Sequence, residues 1–279
     1  MTSKAVVKRT NEVGSLITQE LADLVQGRMG EGMEDMQRED YALPFLKILQ
    51  GLSPEVQRGN PKYNADAKAG DFLNSLTGEL FSGEEGVFVI RVAFDKKFIE
   101  WIPKDLGGGL AKIYNTKDEA EKGRKTLADR ANGFNPKLDN DVVETAQIYC
   151  LLNTEAGWRP VVLAWTKTKL KESRRWASLL AEQTATKYGM APQGEGSEVL
   201  PCYVFQYRIT TRADKNGKGD VYFVPDVGSG PANVAPKSAV RAAQELRAII
   251  KAGQVKVNYE ADEPASDGAL TDASIEQVA

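Results

Sequence analysis

The clearest core strands of the chain lie within residues 146–166, Ala-Gln-Ile-Tyr-Cys-Leu-Leu-Asn-Thr-Glu-Ala-Gly-Trp-Arg-Pro-Val-Val-Leu-Ala-Trp-Thr. Residues 146–152 and 159–166 are apolar and each has the length of a strand. The segment between them, Asn-Thr-Glu-Ala-Gly, is typical of a turn. The sequence therefore predicts two core strands joined as a hairpin.

The other predicted strands are short apolar or alternating segments on both sides of this hairpin. They cover residues 72–76, 79–81, 87–94, 98–102, 201–212 and 220–225. Residues 41–50 are also apolar and leave helix or strand open, although Pro44 favours an edge strand.

Helical periodicity occurs at both ends of the chain and directly after the hairpin. It predicts helices at residues 15–36, 169–188 and from residue 233 to a stop at Gly253. Residues 115–140 are polar, with a helical stretch at 117–131, and we interpret them as an excursion between strands.

Seven or eight short strands joined by hairpin turns predict a mainly β protein with appended helices, of class α+β. We expect an OB-like antiparallel β-barrel with an N-terminal helix, a C-terminal helix and a disordered acidic tail. The expected organisation is a polar arm and helix at 1–40, the OB-like core at 41–256 with the excursion at 115–140, and the tail at 257–279.

Charge is segregated along the chain, so the net charge of −3 is misleading. Residues 158–256 hold sixteen Lys and Arg against eight Asp and Glu, whereas residues 257–279 hold six acids and no base. The central region is therefore suited to a polyanionic partner.

Composition also narrows the chemistry. The chain has no histidine, which excludes His-based hydrolase triads and HExxH zinc sites. No nucleotide-binding glycine loop occurs, and we expect no cofactor and no enzymatic activity. Cys150 and Cys202 are expected to be free thiols in a reducing cytoplasm, and no apolar run is long enough to cross a bilayer.

The sharpest functional signal is residues 166–176, Thr-Lys-Thr-Lys-Leu-Lys-Glu-Ser-Arg-Arg-Trp, with five cations and one carboxylate. Cations beside aromatic rings suit phosphate backbones and unstacked bases. The alternative is that these residues are only the solvated face of a helix. Both interpretations predict exposed cations, so exposure does not distinguish them.

Several other cations also lie close to aromatic residues, and together with the cluster they form the predicted DNA-binding set. Its members are Lys96, Lys97, Trp101, Trp165, Lys167, Lys169, Lys171, Arg174, Arg175, Trp176, Arg212, Lys215 and Lys218. The alternative for each aromatic is a place in the core, above all for Tyr203, Phe205 and Tyr207 on one face of a strand.

One arrangement leaves a nuclease open. Asp95 and Lys97, which we place at the end of the strand at 87–94, form the D-x-K half of a Mg²⁺ site with Asp71 as a possible further ligand. A charged strand end without catalytic function is the alternative.

A set of short motifs connects these segments to a known group of proteins. They are Leu43-Pro44-Phe45-Leu46-Lys47, Leu52-Ser53-Pro54-Glu55-Val56, Ala69-Gly70-Asp71-Phe72-Leu73-Asn74, Thr77-Gly78-Glu79, Glu100-Trp101, Ser173-Arg174-Arg175-Trp176, Thr210-Thr211 and Lys218-Gly219. Across residues 41–225 the chain resembles a family of tailed-bacteriophage single-stranded DNA-binding proteins from replication regions. That resemblance implies an OB barrel followed by an acidic tail that contacts replication proteins. The terminal residues Ile-Glu-Gln-Val-Ala lack the aromatic residue that such tails often carry.

The leading hypothesis is a non-enzymatic, sequence-tolerant single-stranded DNA-binding protein of a phage, acting in replication or recombination. Its expected partners are single-stranded DNA and phage replication proteins reached through the tail, and a homo-oligomer is compatible with the sequence. The rivals are a phage structural or assembly protein with a basic interaction face and a Mg²⁺-dependent nuclease.

Deleting residues 260–279 is expected to tighten DNA binding at low salt, because the acidic tail competes with phosphates for the basic region. About twenty flexible residues reach roughly 22–27 Å, enough to cross a barrel face. Binding isotherms of the two proteins should converge as salt rises, since screening acts over about 8 Å at physiological ionic strength. Identical isotherms at every salt concentration would show that the tail serves only solubility.

Overall fold

The computed structural model describes residues 24, 27–28, 31, 42–103, 106–124, 139–190, 198–257 and 259. Most of the predicted N-terminal helix, much of the predicted excursion and all but residues 257 and 259 of the predicted tail lie outside these residues. No helix among the described residues is long and apolar enough to cross a membrane.

The described chain is mainly β. Its strands are β1 (Ala42–Leu43), β2 (Leu46–Ile48), β3 (Phe72–Asn74), β4 (Leu80–Phe81), β5 (Val87–Trp101), β6 (Leu110–Tyr114), β7 (Asp141–Thr154), β8 (Gly157–Thr166), β9 (Phe205–Lys215), β10 (Val221–Asp226), β11 (Asn233–Val234) and β12 (Lys256–Val257). The α-helices are α1 (Lys117–Gly123), α2 (Leu170–Ala181) and α3 (Lys237–Lys251).

The main sheet is an antiparallel half-barrel of five strands in the order β10-β9-β5-β7-β8. Two further strands pair with it, β6 with β5 and β11 with β9. A small antiparallel sheet, β2-β3-β4, contains the strands predicted at residues 72–76 and 79–81. The predicted α+β class is confirmed. Among the described residues the main sheet path is open, between β8 and β10.

The β7–β8 hairpin is confirmed, and its strands extend beyond the predicted ends. Both faces of this hairpin are buried, which explains why its sequence is continuously apolar. Cys150 and Leu163 face a core that includes Trp176 of α2. Leu151 faces a second cluster formed with Ala239, Ala243 and Leu246 of α3.

The segment 87–102 was predicted as two strands, and that prediction is wrong because β5 is continuous from Val87 to Trp101. A register shift between Arg91 and Ala93 marks a bulge near its middle. Asp95, Lys96 and Lys97 remain in the strand because each pairs with a residue of β7. They therefore do not form a strand end.

Two helix boundaries differ from the prediction. The helix after β8 begins with a 3₁₀ turn at Lys167–Lys169, and α2 ends at Ala181 rather than at residue 188. The last helix begins at Lys237 rather than at residue 233, because Asn233 and Val234 pair with β9. The predicted stop at Gly253 agrees with its positive φ of 71°.

Residues 42–50, which we call the strap, contact both open edges of the half-barrel. At the β8 edge, the Val162 amide donates to the Pro44 carbonyl at 2.9 Å. At the β10 edge, the Gln50 side chain accepts from the Phe223 amide at 2.8 Å and donates to the Phe223 carbonyl at 3.0 Å. The strap therefore satisfies backbone groups on the two strands that the sheet leaves unpaired.

Gln50→Ala is expected to lower the free energy of unfolding by about 1–3 kcal/mol, because two backbone groups of Phe223 lose their partners. Urea denaturation followed by circular dichroism measures this change. The control is Gln244→Ala on the exposed face of α3, with an expected change within about 0.5 kcal/mol. Equal stability of the two variants would contradict a structural role for the strap.

Candidate nucleic-acid interface

The junction between β8 and α2 determines where the predicted basic cluster lies. Lys167 follows β8 with φ at 48°, the only positive φ of a non-glycine residue in the described chain. This left-handed conformation is unfavourable for a residue with a side chain, so the sharp turn into α2 is locally strained. Lys167 and Lys171 are both exposed beside this turn.

A groove of about 310 Å³ separates this junction from the β9–β10 hairpin, and we call it the basic groove. Its cations are Lys167, Lys171 and Arg174 from the junction and Arg212 from β9. Leu170, Tyr222 and Val224 supply apolar and aromatic surface. Two basic segments that are far apart in the sequence are therefore brought to one site.

The buried carboxylate of Glu172 organises the floor of the groove. It lies 3.1 Å from Arg175 and 3.9 Å from Arg212, and its side chain is only 8% exposed. Arg212 also lies 3.6 Å from Asp214, so part of its charge is neutralised. Lys167 and Lys171 form no ion pair within the described residues, and they remain available to an external anion.

Arg175 was predicted to point outward as a phosphate ligand, but its hydrogen bonds give it a structural role. Its guanidinium donates to Glu172 on its own helix, to Asp226 on β10 and to the Gly228 carbonyl. The hydrogen bond to Glu172 raises the pKa of Arg175. This side chain fastens α2 to the end of β10.

Lys96 extends the basic surface across the sheet. Glu144 on β7 lies 3.1 Å from Lys96 and 3.9 Å from Arg174, so it connects β5 with α2. Lys97 is engaged by Asp95 and Asn115, each at 2.7 Å. Lys96 is therefore the better candidate of the two for an external phosphate.

The remaining predicted cations lie near the hairpin and at the start of α2. Lys215 and Lys218 are exposed at the β9–β10 turn, where Asn216 orders the backbone by accepting from Lys218 and Asp220. Lys169 is partly buried within the 3₁₀ turn. The hairpin tip thus adds two exposed cations beyond Arg212, beside the carboxylates of Asp214 and Asp220.

The predicted stacking role of Trp165 and Trp176 is incompatible with their burial. They are 2% and 0% exposed, and their ring centroids lie 5.8 Å apart in the core. Val161, Leu163 and Trp165 are alternate residues on β8 and face the same core. This period-two pattern in the sequence could have predicted that Trp165 is buried. Both rings hold α2 against the sheet.

Trp101 is half-buried and lies away from the basic groove. It pairs with Asp141 of β7 and Leu110 of β6. Four residues along β5 separate it from Lys97, a distance of about 13 Å. Lys104, the cation that follows Trp101 most closely in the sequence, lies outside the described residues.

The arrangement predicted for a nuclease is not assembled. The Asp71 carboxylate accepts hydrogen bonds from the Lys68 and Gly83 amides. Gly83 precedes the start of β5, so Asp71 lies near the beginning of that strand. Asp95 lies eight residues after Val87 on β5, on the order of 25 Å away. No group of three potential metal ligands occurs among the residues that the structure describes.

A family model for the Pam3 phage gp34-like protein matches residues 12–256. The chain belongs to this family. The predicted bacteriophage origin is confirmed, and the family description leaves the molecular role open. The gp34-like region includes every residue of the basic groove and ends where the acidic segment begins. No curated protein and no solved structure matches the chain.

Arg175→Ala in this gp34-like protein is expected to lower the free energy of unfolding by about 1–2 kcal/mol, because buried Glu172 loses a direct partner. The matched variant is Arg174→Ala, whose side chain is 72% exposed and should change stability by less than about 0.5 kcal/mol. Chemical denaturation of both variants measures the difference. Equal effects would remove Arg175 from its structural role.

Proposed function

We propose that this phage protein binds single-stranded DNA without sequence preference, coating strands exposed during replication or recombination. The observation that carries the proposal is the convergence of Lys167, Lys171, Arg174 and Arg212 around one groove. Cations along a groove bind the phosphate backbone whatever the base sequence.

The lining of the groove favours a single strand over a duplex. Leu170 and Tyr222 are partly exposed among the cations, so bases as well as phosphates can make contact. A duplex keeps its bases stacked inside and offers mainly phosphates to such a surface. An unpaired strand gains both kinds of contact.

The half-barrel and strap together support an OB-like interpretation of the core. OB-folds bind oligonucleotides on a partly open antiparallel barrel. Here the strap spans the opening between β8 and β10, and the basic groove lies beside that opening. We propose that this surface performs the same task and that the protein requires neither cofactor nor catalysis.

The register of the sheet supports a continuous path for the strand. Lys97, Thr145 and Thr166 lie side by side on β5, β7 and β8. Lys96 is therefore about 10 Å, or two strand spacings, from the start of the basic cluster. The proposed path runs from the hairpin tip through the groove to Lys96.

The proposal separates from its rivals by gel shift with single-stranded and duplex DNA, with and without Mg²⁺. Selective binding of the single strand without cleavage supports it. Absence of binding indicates a structural or assembly protein with a basic face for another protein. Mg²⁺-dependent cleavage that Asp95→Ala abolishes indicates a nuclease.

Binding to oligothymidylate is expected to weaken with salt at a log–log slope of about −3, from four cations at about 0.7 each. Replacing Lys167 and Lys171 with glutamine should reduce the slope by about 1.4. The control replaces exposed Lys237 and Lys251 of α3 with glutamine and should preserve the slope. Fluorescence anisotropy across a salt series measures all three proteins, and a flat salt response would contradict phosphate contact.

A further inference from the structure

A second concave site lies at the C-terminal end of α2 and contains a buried cation without a hydrogen-bond acceptor. Arg91 lines a cleft of about 500 Å³ and is 6% exposed. Its Nη1 atom has no hydrogen-bond partner, and its guanidinium forms no ion pair within the described residues. A buried guanidinium normally pairs with an acid or hydrogen-bonds to an acceptor.

The surroundings of Arg91 supply aromatic faces and further donors. The guanidinium carbon lies 5.1 Å from the Phe94 ring centroid and 5.3 Å from that of Trp176. The Trp176 indole N–H and the Tyr207 hydroxyl are also buried without a partner in the described chain. Burial lowers the pKa of Arg91, because desolvation of the charged guanidinium is unfavourable.

The rest of the cleft matches an anion attached to a flat or apolar body. Arg247 from α3 adds a second guanidinium, one of whose N–H groups donates to the Val92 carbonyl at 3.1 Å. Leu180 and Val199 supply apolar walls, and the described lining contains no Asp or Glu. The Phe94 ring is 45% exposed, which leaves surface for a planar group.

The position of the cleft favours a nucleotide as that ligand. Arg174 lines the basic groove and Leu180 lines the cleft, six residues along α2, or about 9 Å. Lys96 and Phe94 are alternate residues on β5 and point to the same side of the sheet. The cleft therefore lies at the end of the proposed strand path.

We propose that this cleft binds one nucleotide of the strand held in the basic groove, with its phosphate at Arg91 and Arg247 and its base against Phe94. The inference rests on the proposed single-stranded DNA binding and adds a defined nucleotide subsite to it. Guanidinium groups suit phosphate because they offer paired N–H donors, and stacking on a ring tolerates any base.

The subsite is tested with dTMP on the full-length protein, by titration calorimetry at millimolar concentration and by ultraviolet cross-linking of oligothymidylate. Saturable dTMP binding and a cross-link at Phe94 are expected. Thymidine and inorganic phosphate should each bind more weakly than dTMP, because thymidine lacks the phosphate and inorganic phosphate lacks the base. If hexanoate binds as tightly as dTMP, the cleft is a carboxylate site and the proposal is overturned.

Variants separate the subsite from the groove. Phe94→Leu and Arg247→Gln should weaken dTMP binding about tenfold, whereas Arg241→Gln on the exposed face of α3 should leave it unchanged. Lys171→Gln should weaken the binding of oligothymidylate but leave the binding of dTMP unchanged. Unchanged thermal stability of each variant confirms that the fold is retained.

The outcomes distinguish the two proposals. If the full-length protein fails to bind oligothymidylate, the proposed function fails. If oligothymidylate binds through Lys171 while Phe94→Leu has no effect and dTMP does not bind, only the nucleotide subsite is overturned.

Discussion

The structure depends on how the two open edges of its central sheet are satisfied. A half-barrel leaves unpaired N–H and C=O groups on its outermost strands, and such edges invite aggregation or pairing with another chain. The strap meets both edges, with backbone atoms of Pro44 at β8 and with the amide side chain of Gln50 at β10. Because one short segment contacts both strands, it fixes the opening beside which the basic groove lies.

The helix α2 connects this scaffold to both proposed sites. Its inner face carries Trp176 into the core and buries Glu172, which pairs with Arg175 and lies near Arg212. Its outer face presents Lys171 and Arg174. Burial of a carboxylate beneath exposed cations holds Arg175 and Arg212 in place without neutralising the lysines. The same packing that stabilises the fold therefore orients the charges.

Arg91 shows how the two sites differ in physical character. In the basic groove, exposed lysines act through long-range attraction that salt screens. In the cleft, the buried guanidinium of Arg91 lies close to the Phe94 and Trp176 rings, and a low local dielectric strengthens its interaction with an anion. Under the proposed function, the groove captures a strand whatever its sequence, and the cleft adds one more specific contact. The β5 bulge next to Arg91 helps to place it at this position.

Much of the fold could be predicted from local pattern. The apolar runs at residues 146–152 and 159–166 predicted the β7–β8 hairpin, and the segments at residues 201–212 and 220–225 predicted β9 and β10. Predictions failed where a neighbour overrode the pattern. Pairing with β7 keeps the charged residues Asp95–Lys97 within β5, and pairing with β9 delays α3 to Lys237. Local periodicity contains no information about such partners.

Local sequence patterns were enough to predict the class of the fold, the phage resemblance and the concentration of cations after β8. Only the tertiary structure decided which of these cations share a groove, because Arg212 approaches Lys171 through the pairing order of the sheet rather than through sequence spacing. It also assigned Trp165 and Trp176 to the core and left Arg91 buried beside an open cleft. Burial depends on which elements pack against a residue, and that is a property of long-range contacts.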